Sequence, residues 1–381
     1  MDEFTLNSTT TGDQDQPSVA GLRGTQFVAV WRNASTQDIR GRLFGVNGNP
    51  SSPEFNIALP QATGTKRQLP TVIEVSFGFA VAWIEQLPGG VPQLKVRSFD
   101  ADTLSGEETQ ASSAEVEPLV RPAMARLADG GFVVVWADKR KDERIRAQRY
   151  GIDTMKSGAE FGANTIPELH RFPMAAGLPN GNFAIGWRQR SAAPLLAHFR
   201  IFNPSGGPVA SEQTTTLDVT ETVMAPLDTG RFVIAHIRQP FDGETGFDTT
   251  FPQATLFEAS GASTKLHFVA TSVKRIQSSS LAIAPLSGGR FLLAWSQAST
   301  DNAAAGSNVE ARLFSSGGAL GNVAKVNTRT GGNRFSVAAA TTSGPDGDTA
   351  LFVWADDSST GADKSGRAIQ GRVMPITAAG F

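Results

Sequence analysis

Several cationic side chains in this sequence stand within the three residues that precede short alternating segments. They are Arg67, Arg121, Arg171 and Arg334, with His170 beside them and with Asp15 and Glu221 as acidic counterparts. Guanidinium groups match carboxylate, sulfate or phosphate through paired hydrogen bonds. If these side chains converge they form an anion site, whereas the alternative is that they extend outward or pair with local carboxylates.

Two adjacent residues of this set could also support catalysis. In a lyase acting on an anionic polysaccharide, His170 would be the general base and Arg171 would bind the uronate carboxylate. A glycosidase would instead need two carboxylates, and these could come from distant parts of the chain. The sequence has no Gly-x-Ser-x-Gly nucleophile motif and no phosphate-binding glycine loop. Catalysis is therefore an alternative rather than the first interpretation.

Metal binding has only weak candidates in the sequence. Asp242, Glu244 and Asp248 lie together in the longest connecting segment. Hard cations such as calcium need six or more oxygen ligands, and none of the Asp-rich stretches has the full calcium-loop spacing. The four histidines lack zinc-binding spacing. No cofactor is predicted, and calcium is left open.

A repeated strand surrounds these residues. All six tryptophans end similar apolar segments such as "GFVVVW", and His236 takes the tryptophan position in a seventh copy, "RFVIAH". Successive copies are 49 to 59 residues apart. Three further alternating segments accompany each copy, bounded by Gly, Pro, Asn and Asp. Period-two alternation between such turns is typical of β-strands.

Four strands per unit and seven units predict an all-β, seven-bladed β-propeller. The predicted blades are 17–59, 70–112, 122–165, 173–216, 222–271, 281–328 and 335–381. The last unit lacks its fourth segment, and residues 3–9, "EFTLNST", resemble that segment. The N-terminal strand is therefore expected to complete the last blade and close the ring. A stacked solenoid, the rival architecture, would not need this arrangement.

Loop diversity indicates where a ligand could bind. Turns between the first and second strands of each unit are short and glycine-containing, whereas the loops between the second and third strands vary in length and charge. Binding residues concentrate on loops that a rigid scaffold positions. Lys139 and Arg188, in two of these variable loops, are therefore added to the candidate ligand-binding residues.

Bulk composition excludes several classes of function. The formal net charge is −2 and there is no basic stripe, so nucleic acid is not an expected partner. No apolar run is long enough to cross a membrane, and no insertion is expected. The absence of cysteine excludes disulfides and thiolate chemistry. The first residues have no signal-peptide pattern, which leaves the export route open.

Residues 122–165, "PAMARLADGGFVVVWADKRKDERIRAQRYGIDTMKSGAEFGANT", show the repeat best. This unit resembles propeller repeats in large secreted bacterial proteins that also carry RTX-type calcium-binding tracts. The resemblance implies an extracellular or cell-surface bacterial location and a role in adhesion or recognition. It implies no catalytic residues, and the RTX nonapeptide tract itself is absent.

Three functions follow as hypotheses. The first is a non-enzymatic, monomeric recognition module that binds an extracellular glycan, or a surface protein, through the variable face. The second is an enzyme acting on an anionic polysaccharide in an Arg- and His-lined funnel. The third is a purely structural or protein-interaction propeller. A fold of this kind hosts all three, so only the site can decide between them.

Overall fold

The computed structural model describes residues 1–24, 26–139, 144–166, 170–189, 196–215, 219–238, 251–269, 276–298, 306–345, 347–359, 361–378 and 380–381. These residues form 28 strands and no helix. No described segment is therefore an apolar helix long enough to cross a membrane.

The first three blades contain twelve strands. Blade 1 comprises β2 (Gln14–Leu22), β3 (Gln26–Asn33), β4 (Asp38–Gly45) and β5 (Phe55–Asn56). Blade 2 comprises β6 (Lys66–Val75), β7 (Gly78–Gln86), β8 (Gln93–Asp100) and β9 (Glu108–Gln110). Blade 3 comprises β10 (Ala123–Arg126), β11 (Phe132–Ala137), β12 (Ile145–Tyr150) and β13 (Lys156–Gly162).

The other four blades complete the ring. Blade 4 comprises β14 (His170–Gly177), β15 (Phe183–Gln189), β16 (Ala197–Phe202) and β17 (Gln213–Thr214). Blade 5 comprises β18 (Val219–Pro226), β19 (Phe232–Arg238), β20 (Phe251–Phe257) and β21 (Ser263–Val269). Blade 6 comprises β22 (Ile276–Leu286), β23 (Arg290–Ala298), β24 (Ser307–Ser315) and β25 (Gly318–Lys325). Blade 7 comprises β26 (Arg334–Gly344), β27 (Gly347–Asp356), β28 (Ala368–Ile376) and β1 (Phe4–Thr5).

Each blade is a four-stranded antiparallel sheet, and the sheets form a closed ring. Within a blade the strands pair in chain order, except that β1 follows β28 in blade 7. The first strand of each blade contacts the first strands of its two neighbours, and β2 contacts β26. The predicted seven-bladed β-propeller is confirmed. We call the face at which these first strands begin the top face, and the space that they surround the channel.

The N-terminal strand closes the ring as the sequence predicted. Phe4 and Thr5 pair with Gly371 and Gln370 of β28, and the amide of Leu6 donates to the carbonyl of Ile369 at 2.8 Å. The Leu6 side chain is fully buried in a core cluster that joins blades 7 and 1. With β1 paired to β28, blade 7 has four strands like the other blades, and β28 is not left as an unpaired edge strand.

The core lies between blades rather than in one central mass. Trp83, for example, packs with Val30 of the preceding blade, and both are fully buried. His236, which replaces the tryptophan in blade 5, is also buried and lies 3.3 Å from Gln253. The alternation of the repeated strand thus places one face of each sheet against the next blade.

Glutamates of the outer strands connect neighbouring blades. In blade 1, Glu54 accepts hydrogen bonds from the backbone amides of Ser8 at 2.8 Å and Thr9 at 3.1 Å, which belong to the end of blade 7. The same connection recurs at four other junctions, where the acceptors are Glu3, Glu108, Glu160 and Glu212. The strands β21 and β25 of blades 5 and 6 contain no glutamate.

Replacing Glu54 with Gln is expected to weaken the junction between blades 7 and 1 in a pH-dependent way. Burial acts to raise the pKa of Glu54, but its hydrogen bonds from Ser8 and Thr9 outweigh burial and lower it. The stabilisation is therefore complete above the unfolded-state pKa of about 4.3 and is lost as the pH falls through the lower folded-state pKa. At pH 7 we expect a loss of about 1–3 kcal/mol in the free energy of unfolding.

Urea titrations of both proteins between pH 3 and 7 would measure this difference. Glu107→Gln, at an exposed position, is the matched control and should stay close to the wild type. A Glu54→Gln deficit of the same size at pH 3 and pH 7 would contradict the ionic basis of the junction.

Candidate functional site

The channel mouth on the top face is shaped by irregular backbone at the start of the innermost strands. The pairing of the first and second strands shifts register there in six blades. In four of them a residue other than glycine takes a positive φ of 52° to 57°; these residues are Gln16, Leu69, Phe172 and Ser336. Such bulges redirect the side chains that precede them. The alternation of the sequence therefore does not predict whether the side chains just before the bulge point into the channel or away from it.

Arg67 does not reach the channel as the sequence analysis expected. Its guanidinium is buried, with Nε 2.8 Å from Glu85 and Nη1 3.2 Å from Asp38, and Nη2 donates to the carbonyl of Leu59 at 2.9 Å. Its hydrogen-bonding capacity thus serves the junction of blades 1 and 2.

Arg334 occupies the equivalent position in blade 7 and is completely buried, at 0% exposure. Nη1 donates to the carbonyl of Ser307, Nη2 donates to the carbonyl of Arg329 at 2.9 Å, and Nε lies 3.3 Å from Asp356. The guanidinium is therefore enclosed by protein on all sides. This arginine is a structural tie between blades 6 and 7, and the expectation that it lines an accessible funnel is corrected.

His170 is likewise turned away from the channel. The ring is 1% exposed, its Nε2 lies 3.1 Å from the carbonyl of Ile166, and it packs edge-on against Trp187 and His198. A general base must lie within hydrogen-bond reach of the proton that it removes. His170 in this position does not meet that requirement for a polymer bound at the mouth, so the geometry gives no support to the expected catalytic role.

Arg171 and Lys139 pair with glutamates of blade 3. Arg171 Nη2 donates to Glu117 at 3.0 Å, across the junction of blades 3 and 4. Lys139 Nζ donates to Glu115 at 2.7 Å, and this hydrogen bond raises the pKa of Lys139. Both side chains are nearer the surface than Arg67 and Arg334, and their predicted roles in ligand binding stay predictions.

A sequence signal for the buried pairs exists but was missed. Glu85 and Asp356 both stand two residues after a repeated tryptophan, Trp83 and Trp354. Strand pairing places that position opposite the residue that stands two positions before the positive-φ residue of the first strand, as in the Arg67–Glu85 and Arg334–Asp356 register pairs. An arginine and an acid at these two positions of one blade therefore predict a buried ion pair.

Arg121 crosses the channel mouth. From blade 3 its Nη2 donates to the carbonyl of Gln16 in blade 1 at 3.2 Å, and Nη1 contacts the carbonyl of Pro70 in blade 2. Burial lowers the pKa of Arg121 to about 10, and the negative charge of Asp15 opposes that shift. The side chain remains charged at neutral pH and brings positive charge to the centre of the top face.

On the top face, blades 4 and 5 bring together Phe172, Arg188 and Glu221. The Arg188 guanidinium lies over the Phe172 ring, 4.0 Å from its centroid, and Phe172 is 41% exposed. Burial lowers the pKa of Arg188, an effect that the charge of Glu221 opposes. Glu221 also accepts a hydrogen bond from the amide of Leu281 at 3.2 Å. Within the described part of the chain, Nε of Arg188 is buried without a hydrogen-bond partner.

These three residues are the best candidate site. Arg188, a predicted ligand-binding residue, lies against an aromatic ring, and its Nε has no acceptor among the described residues. Phe172 was not predicted; its exposure and its left-handed backbone are visible only in the structure. Glu221 was predicted, and it supplies an acceptor beside the cation.

Below the mouth, the channel widens into a cavity of about 830 Å³. Its walls are mostly small and apolar, with residues such as Ala125, Ala175 and Ala225 contributed by successive blades. At the opposite opening, Glu74 bridges Arg126 at 3.1 Å and Arg23 at 3.6 Å. Asp228, the other charged residue of the lining, accepts hydrogen bonds from the backbone amides of Gly288 and Gly289, both at 2.7 Å.

The described residues contain no group of three or more His, Asp or Glu side chains arranged to hold a metal ion. The weak metal candidates Asp242, Glu244 and Asp248 lie outside the described residues.

Comparison with known proteins identifies the architecture. No family model and no curated protein matches the chain. Among solved structures, an ulvan lyase of a new polysaccharide lyase family, bound to a saccharide of glucuronate and sulfated rhamnose, is similar with a TM-score of 0.59 and 8% identity over 97% of this chain and 96% of that one.

Two further structures have the same general form. The ectodomain of the parainfluenza virus 5 hemagglutinin-neuraminidase gives a TM-score of 0.52 at 8% identity, over 98% of this chain and 83% of that one. The β-propeller domain of the trilobed protease from Pyrococcus furiosus gives a TM-score of 0.50 at 10% identity, over 97% of this chain and 99% of that one. At such low identity these similarities establish the propeller fold alone.

Proposed function

We propose that this protein is an extracellular recognition module that binds a glycan at the top face, around Phe172, Arg188 and Glu221. The observation that carries the proposal is the half-buried Arg188, stacked on an exposed aromatic ring and without an acceptor for its Nε among the described residues. An aromatic surface with a few directional polar groups is the usual composition of a small-molecule site. The bacterial cell surface, which the repeat resemblance implies, is the proposed location.

The nature of the solved neighbours supports a carbohydrate ligand. The ulvan lyase and the hemagglutinin-neuraminidase are both named for glycan chemistry. The acidic saccharide in the lyase complex is of the class that a guanidinium would bind. An enzymatic role is less well supported here, because His170 is buried and Arg171 is paired with Glu117.

The proposal is tested by titrating the protein calorimetrically with uronate-containing, sulfated and neutral oligosaccharides. We expect an acidic oligosaccharide to bind and Arg188→Gln to weaken it by about tenfold to a hundredfold, as for the loss of a charge-assisted hydrogen bond. The ultraviolet absorbance of the same mixtures reports unsaturated uronate ends. Failure of every oligosaccharide to bind would overturn the proposal, and growth of that absorbance would favour the lyase alternative.

Replacing Phe172 with Gly separates binding from folding. The residue has a φ of 55°, a conformation that glycine adopts without strain. We therefore expect unchanged or slightly higher thermal stability but at least tenfold weaker glycan binding, since the stacking ring is lost. Scanning calorimetry and ligand titration would measure the two effects.

Leu69→Gly is the matched control for this prediction. Leu69 stands at the same position in blade 2, with a φ of 57°, so the backbone effect is the same. Equal losses of affinity in the two variants would show that backbone geometry, rather than the Phe172 ring, governs binding.

A further inference from the structure

A second arginine–aromatic stack lies on the top face, in blade 7. The guanidinium of Arg367 lies over the ring of Phe335, 5.0 Å from its centroid. Phe335 is half-buried against the core cluster of blades 7 and 1, which fixes the ring, and Arg367 is half-buried as well. Within the described residues the Arg367 guanidinium makes no hydrogen bond, whereas its backbone amide donates to Asp13 at 2.9 Å and its carbonyl accepts from the amide of Gln14 at 2.8 Å.

The two stacks are built from different sequence positions. Phe172 is itself the positive-φ residue of β14, and it contacts Arg188 from the end of β15. Phe335 stands one position before the corresponding residue of β26, Ser336, and it contacts Arg367 from the loop before β28. The repeat therefore does not impose these two stacks, which arise on the top face from different positions of the blade.

Their places in the ring put them on opposite sides of the mouth. Blades 5 and 6 separate blade 4 from blade 7 in one direction, and blades 1 to 3 separate them in the other. By way of blades 5 and 6, blade 7 is three blades on from blade 4. Since packed sheets lie about 10 Å apart, the two stacks are separated by roughly 30 Å at most along this direction. Arg121, which contacts blades 1 and 2 from blade 3, lies at the mouth between the two sides.

Two carboxylates near the channel mouth are paired with arginines. Asp15 forms a two-point ion pair with Arg32, at 2.8 Å and 2.6 Å. Glu117 is likewise paired with Arg171 at 3.0 Å. A negatively charged chain crossing the mouth would thus meet the cations Arg188, Arg121 and Arg367 without strong repulsion from these carboxylates.

We propose that the top face binds an extended, repeatedly charged acidic polysaccharide, with one acidic sugar at Arg188–Phe172 and another at Arg367–Phe335. This inference rests on the proposed function for the first of these positions and extends it to a second one. Occupying both positions with one chain makes the second contact intramolecular, so affinity should increase sharply once the chain is long enough to reach both.

The test uses oligogalacturonates of increasing length, from the dimer to chains longer than 30 Å, in calorimetric titrations with the wild type, Arg188→Gln, Arg367→Gln and Arg23→Gln. Arg23 is 69% exposed at the opposite opening of the channel and serves as the charge-matched control. We expect the wild type to gain at least tenfold in affinity per chain above a threshold length. Arg367→Gln should abolish that gain and leave dimer binding unchanged.

The outcomes separate the two proposals. The second position is overturned if the dimer binds through Arg188 but the affinity per sugar stays constant with chain length. It is also overturned if Arg367→Gln leaves the length dependence intact. In both cases the proposed function stands. If Arg23→Gln reduces the gain as much as Arg367→Gln, general charge attraction replaces the specific position. If no oligomer binds, both proposals fall.

Discussion

Removal of residues 1–9 is expected to destabilise the protein by more than about 5 kcal/mol, because a truncated chain cannot complete blade 7. Loss of a fully buried leucine such as Leu6 alone costs about 2–5 kcal/mol. Asn7 is buried too, donating to Asp363 at 2.7 Å and accepting from the amide of Ile369 at 2.9 Å. Since domains are stable by about 5–15 kcal/mol, the truncated protein should be largely unfolded or aggregated at 37 °C. Circular dichroism and scanning calorimetry would measure the loss.

A circular permutant is the control for this truncation. In it, residues 1–9 follow Phe381 through a short glycine-containing linker, so blade 7 is connected like the other blades. The backbone carbonyl of Met1 accepts a hydrogen bond from Nε of Arg372 in β28 at 2.8 Å, which places the start of the chain beside that strand. The permutant should keep near-native stability. A truncated protein as stable as the wild type, or a permutant as unstable as the truncation, would contradict the role of β1 in closure.

Replacement of Arg334 with Met should lower the free energy of unfolding by about 3–5 kcal/mol. Removing one partner of a buried ion pair leaves the other charge without compensation. Asp356 would retain hydrogen bonds from Trp354 at 3.2 Å and from the amide of Ser358 at 2.7 Å, but it would lose its buried cation. The carbonyls of Ser307 and Arg329 would also lose their donor. Urea unfolding at pH 7 would give the difference.

Arg23→Met provides the comparison for this prediction, because the exposed pair of Arg23 with Glu74 is expected to contribute about 1 kcal/mol or less. Arg334→Lys should lie between the two, since it retains the charge but not the planar set of donors. A loss of less than 1 kcal/mol in Arg334→Met would contradict the structural role and return Arg334 to the set of available cations.

Arginines that stand at similar positions in the repeat have different roles in the structure. Arg67 and Arg334 look equivalent to Arg121 in the sequence, but Arg67 and Arg334 tie blades together and Arg121 spans the mouth. Arg188, which sequence reasoning placed only among the variable loops, becomes the central binding candidate because its partner is an aromatic ring. Position in the repeat alone therefore does not show which arginines are neutralised by protein partners.

The amino-acid sequence by itself determined the architecture. Seven copies of the tryptophan strand, period-two alternation and the fourth strand displaced to residues 3–9 together require a closed ring, and each of these features depends only on local pattern and spacing. The tertiary structure alone decided which charged residues are buried and paired within the protein. The bulge near the start of the innermost strand in six blades redirects the preceding side chains, and the carboxylates and carbonyls that bind Arg67, Arg171 and Arg334 come from other strands or blades. Pairing across blades depends on distances in space, which one-dimensional spacing does not encode.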